Sequence, residues 1–160
     1  MKFSKYFKYF LVGTILCIVT MRFIDKPNPG IVEFEFAKTL DNANNMIAIW
    51  ADAGAENRKI AGNFFDYIFM LCYGGSLFLF YKAWYNYKPQ IIFKVLMYFA
   101  LLAPLLDAVE NYGLLKLQFK TGTDFHAQLA YYCASAKFIL LIPCILGLLY
   151  WIVLRLMKKI

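Results

Sequence analysis

Four stretches of this chain are apolar for long enough to cross a bilayer, which takes about 20 residues at 1.5 Å rise each. They are Tyr9 to Ile24, Ile60 to Tyr85, Ile91 to Gln118 and His126 to Met157. Residues 25–59 form the longest stretch between spans, and its pattern is different. Ile31 to Phe36 reads IVEFEF, with Val32, Phe34 and Phe36 alternating against Glu33 and Glu35, which predicts an extended, half-buried segment. Thr39 then sits where an N-cap belongs, before Leu40, Ala43, Ile47, Trp50 and Ala51 at helical spacing. That pattern predicts an amphipathic helix lying flat on the outer face, as an interfacial anchor or as a lid over a cavity. The fold class that follows is all-α: a single domain over residues 1–160, with a four-transmembrane-helix bundle and an extracytoplasmic extended segment and amphipathic helix between helices 1 and 2.

Composition agrees. Of 160 residues, 62% are hydrophobic and 17% charged, against roughly 45 to 50% and about 25% in soluble domains. A water-soluble fold and a disordered chain are both excluded. The net charge of +7 is explained by topology. One set of segments carries Lys2, Lys5, Lys8, Lys82, Lys88, Lys94, Arg155, Lys158 and Lys159 without an acidic residue, while the other set is mixed. The positive-inside rule then places both termini in the cytoplasm, in a bacterial cytoplasmic membrane. Membrane lipids are the expected partners, together with a second copy or a larger membrane complex, and nucleic acid is not. Trp84, Tyr85, Tyr87, Tyr150 and Trp151 would form the inner aromatic belt. No small-x-small site follows the first span, which reads as an uncleaved anchor. Leu16 before Cys17 argues against a lipoprotein site.

Several polar residues fall inside the spans, where each ionisable group costs about 2.5 to 3.5 kcal/mol. Asp66 lies in the second; Asp107, Glu110 and Asn111 share an arc of about 100° on the third; Lys137 lies in the fourth. Tyr73, seven residues after Asp66, shares its face. Lys137 is expected to pair with Asp107 or Glu110, with Asp66 and Tyr73 completing the network, and His126 at the mouth of the fourth span either joins it or sits at the interface. Pro104 and Pro143 are helix breakers in mid-span, predicting kinks and a splayed outer half. Gly74, Gly75, Gly113 and Gly147 read as helix contact points. Cys17, Cys72, Cys133 and Cys144 read as small apolar residues, without a CxxC pair.

The segments GIVEFEFAKT at Gly30 to Thr39, Trp50, FDYIFMLCY at Phe65 to Tyr73 and LDAVENYGLL at Leu106 to Leu115 resemble an uncharacterised family of small four-span bacterial membrane proteins. Those segments run from residue 30 to 115, the matching pattern of spans covers nearly the rest, and the resemblance implies the four-span fold and a shared site around Glu35, Asp66, Asp107, Glu110 and Asn111. It implies no chemistry.

Three functions fit these residues. One is binding of a small amphipathic or lipid-like ligand by Glu35, Asp66, Tyr73, Asp107, Glu110, Asn111 and Lys137 in an outward-facing pocket. A second is a structural or accessory subunit of a membrane complex, with the cluster locking the helices. The third is a membrane-embedded enzyme or ion-coupled transporter using the carboxylates as acid and base. No cofactor is expected. A divalent metal on Asp66, Asp107 and Glu110 would have His126 as its sole nitrogen ligand, and none is expected. Charges sealed in ion pairs favour the structural reading; a carboxylate open to unfilled volume favours a ligand.

Overall fold

The computed structural model describes residues 3–26 and 28–157, and they are helical throughout their ordered elements. In chain order the elements are α1 (Lys5–Ile24), α2 (Ile31–Glu35), α3 (Leu40–Asp52), α4 (Glu56–Tyr87), α5 (Ile91–Gln118) and α6 (Asp124–Leu156). Helices α1, α4, α5 and α6 are long and apolar enough to cross a membrane. They run up and down in turn, with α1 against α4, α4 against α5 and α5 against α6. The apolar faces of α1 and α6 point outward: Val12, Ile15, Leu16, Val19, Ile139, Ile142 and Leu146 are all exposed, as side chains facing lipid would be.

Helix starts follow local chemistry. Ser4 Oγ accepts from Phe7 N at 3.2 Å, and Thr39 Oγ1 from Asn42 N at 3.3 Å. Each satisfies a backbone donor that the first helical turn leaves free. The predicted span ends hold to within a few residues, and α4 extends four residues further toward its N-terminus than hydropathy alone suggests.

The predicted extended segment is instead the short helix α2. Its first donors are taken by carboxylates: Asp25 Oδ1 accepts from Ile31 N at 2.7 Å, and Glu33 accepts from Gly30 N. The alternation of IVEFEF does not set its faces. Phe34 and Glu35 are buried side by side, while Val32 and Phe36 are exposed. With no strand to pair with among the described residues, backbone and tertiary contacts override a six-residue pattern.

Helix α3 is amphipathic as expected, but its apolar face meets protein. Ala43, Ile47 and Trp50 pack with Phe34 of α2 against Leu114 and Leu117 of α5 and Ala127 and Ala130 of α6. Leu40 N donates to Asp124 Oδ1 at 2.8 Å, tying α3 to the start of α6. Together α2 and α3 cap one end of the bundle. The opposite end carries Lys5, Lys8, Lys82, Lys88, Lys94 and Arg155; Lys2, Lys158 and Lys159 lie outside the described residues. Its core is aromatic: Trp84 is buried and stacked on Phe93 with centroids 4.3 Å apart, rather than forming part of a belt. Tyr87 and Tyr150 are exposed there.

Close approach between helices depends on glycine. A methyl group at Gly74 would collide with the ring of Pro104 and lie 3.4 Å from Ala100 O. The helix-breaking proline of α5 is therefore filled by α4 rather than opening a splayed cavity. Gly75 admits the ring of Phe10, and Gly113 lies against Ala130 and the backbone of His126. Because a proline ring cannot turn aside, Gly74→Ala should cost about 1 to 3 kcal/mol of overpacking, measured by equilibrium unfolding in mixed micelles. Wild-type stability would show that α4 and α5 do not touch at this point.

Candidate functional site

The polar residues of the long helices converge beneath the cap. Lys137 reaches from α6, and its Nζ lies 3.0 Å from Asp107 Oδ1 and 2.9 and 2.8 Å from the two oxygens of Glu110, both on α5. A third carboxylate arrives from the cap, with Glu35 Oε2 at 3.5 Å. Tyr73 of α4 donates its hydroxyl to Asp107 Oδ2 at 2.7 Å. One turn further along α5, Asn111 Nδ2 donates to Asp66 Oδ2 at 2.5 Å. All seven predicted site residues are thus brought to one place, and none is more than 8% exposed.

Local sequence explains the convergence. Asp107, Glu110 and Asn111 recur at three and four residues, so α5 turns them to one side. Asp66 and Tyr73 are two turns apart and both face α5. On α6 the small side chains Ala130 and Ala134 are buried beside Lys137, letting α5 approach. Glu35 is placed by the two aromatic residues of the cap, Phe34 and Trp50, whose rings pack edge to face at 4.8 Å.

His126 stands apart. Its Nδ1 lies 3.2 Å from Thr123 N and 3.0 Å from Thr123 Oγ1, so it closes the first turn of α6. Among the described residues no group of three His, Cys, Asp or Glu side chains is placed to hold a metal ion. The ammonium of Lys137 takes the position between carboxylates that a cation would occupy. The four cysteines are free, with Cys17 and Cys144 buried in apolar surroundings.

Two polar groups were not singled out by the sequence reading. Lys59 is fully buried at the start of α4, where its Nζ is bonded to Asp25 O, lies 3.1 Å from Asp25 Oδ1 and 3.2 Å from Pro29 O, and sits 5.2 Å from the centre of the Trp50 ring. Trp50 Nε1 donates to the same Pro29 carbonyl at 2.7 Å. This node fastens the cap to α1 and α4. Four residues on, Asn63 Nδ2 donates to Gln118 Oε1 at 3.1 Å, again fully out of solvent. The signal was present: 59, 63, 66 and 73 lie on one face of α4.

A groove of about 390 Å³ lies away from the cluster, between α3 and the α5–α6 turn, lined by Leu40, Asn44, Ile47, Ala48, Leu117 and Lys120 among others.

Comparison with known proteins brings no match: no family model, no curated protein and no solved structure is similar to this chain.

Glu35 is the one cluster carboxyl on the cap. Burial pushes its pKa above the ordinary glutamate range, against the pull of Lys137. A carboxyl that holds its proton more tightly when folded stabilises the fold fully below the ordinary glutamate pKa of about 4.3. That contribution is lost as pH rises through the raised value. Glu35→Gln should therefore flatten the decline of thermal stability with rising pH, seen as melting temperature against pH for the two proteins. Parallel profiles would contradict this.

Proposed function

We propose that this chain is an integral protein of the bacterial cytoplasmic membrane, with both termini cytoplasmic and the α2–α3 cap on the outer face. In this reading it is a structural or accessory subunit of a larger membrane complex, and the Lys137 cluster is the ionic lock of its bundle. The observation that carries the reading is closure. Lys137 is bonded on three sides by carboxylates from α5 and α2, and the site is buried beneath the cap. A pocket meant for an amphipathic ligand leaves its polar groups facing unfilled volume; these face one another. Orientation is supported by the basic residues at the uncapped end. The bacterial assignment is supported by the segments between residues 30 and 115 that resemble the small four-span family.

A second reading has an observation of its own. The groove beside α3 combines Leu40, Ile47 and Leu117 with Asn44 and Lys120. Its volume falls in the range of small-molecule sites, about 300 to 1,000 Å³. It suits a lipid-like molecule with an anionic head, and places ligand binding on the cap rather than in the cluster.

Native mass spectrometry of the protein gently extracted from its own membrane separates the two. The accessory reading predicts a second polypeptide in the wild-type complex and reduced abundance of Lys137→Met. A small-molecule mass on the wild type, lost in Ala48→Trp with abundance intact, would overturn it in favour of the groove.

A further inference from the structure

Charge in the cluster does not balance. Among the described residues Glu35, Asp107 and Glu110 share one ammonium, Lys137, while Asp66 is bonded to Asn111, and all five ionisable side chains are more than nine-tenths buried. With every carboxyl ionised the site would hold three uncompensated negative charges, which a low-dielectric interior does not sustain. An ionic lock alone needs no such surplus. The remaining titratable and charged neighbours do not repair it. Tyr67 and Tyr73 of α4 and Cys133 of α6 bring no positive charge, and Asp41 and Asp52 of α3 face solvent. Lys59 of α4 is already held by Asp25.

A second observation lies on the same seam. Asn63 and Gln118 are buried and share one hydrogen bond, yet Asn63 Oδ1 and Gln118 Nε2 have no partner among the described residues. An orphaned acceptor beside an orphaned donor is what one buried water molecule satisfies. The pair stands between the exposed end of the seam and the cluster. Asp25, whose side chain is 45% exposed, binds Lys59. Asn63 follows one turn later on α4, then Asp66 with Asn111, then Tyr73 with Asp107. Polar side chains of α4 thus recur from the capped end toward Lys137, the first paired with Asp25 at the end of α1 and the next three with α5.

We propose that the carboxyl cluster is a proton-binding site, loaded from the capped end along the α4–α5 seam through a water molecule held between Asn63 and Gln118. The ligand is the proton itself, exchanged with water on that face. Neutrality fixes the full load at three protons for the four carboxyls. This goes beyond the lock, which requires only that the charges be paired, and gives the accessory subunit a store of protons inside the bilayer.

Infrared spectroscopy of the whole protein in lipid nanodiscs tests both parts. At neutral pH a carbonyl band of protonated carboxyl groups is expected, reduced in Asp66→Asn. On transfer to heavy water that band shifts as protons exchange. In Gln118→Met the exchange should slow by about tenfold, the rate equivalent of roughly one lost hydrogen bond. Asn63→Leu is the second probe of the seam, so a variant that fails to fold leaves the other to decide. Absence of the protonated band would overturn the proton site, and unchanged exchange in the folded seam variant would overturn the route. Either failure leaves the lock standing, because abundance and subunit mass test it separately.

Discussion

An ammonium group buried among carboxylates governs this molecule. Lys137 cannot remain in an apolar interior unpaired, and its partners come from α5 and from the cap. Breaking such a buried pair by removing one member is strongly destabilising, about 3 to 5 kcal/mol, because the other charge is left without compensation. The requirement fixes the rotation of α6 about its axis, the face that α5 turns inward, and the seat of α2. Tyr73 and Asn111 extend it to α4 by donating to the outer oxygens of Asp107 and Asp66.

Such pairing is possible only where helices approach closely, and the small residues supply that approach. Ala130 and Ala134 sit beside Lys137, while Gly74 receives the ring of Pro104. Lipid offers little hydrophobic drive for helix association, so packing and polar contacts carry it. Here the two occur at the same level of the bundle. The cap contributes a third element, its Phe34–Trp50 core holding Glu35 over Lys137 while Lys59 anchors the far side of Trp50 to α1.

The bundle and the cluster were legible because both rest on periodicity. Apolar runs gave the four long helices, and the spacing of Asp107, Glu110 and Asn111 gave the inward face of α5. Glu35 was not legible from periodicity, since an alternating reading placed it on the face opposite Phe34. The structure buries both, because α2 is a helix whose first donors are met by Asp25 and Glu33. Lys59 was hidden for another reason. It stands one residue before the apolar run, where a lysine ordinarily reaches toward solvent, and two of its three acceptors are backbone carbonyls of Asp25 and Pro29 that no side-chain pattern reveals. Asn63 and Gln118 were less legible because uncharged amides cost less to bury than carboxylates, although they too need partners once out of water.

Lys137 and the α5 carboxylates stabilise the fold as a unit. A double-mutant cycle of Lys137→Met and Asp107→Asn, read by equilibrium unfolding in mixed micelles, addresses it directly. The double mutant should cost less than the sum of the singles, with a coupling of about 1 to 3 kcal/mol. Additive costs, equal to the sum within about 0.5 kcal/mol, would show two independent buried groups and no lock.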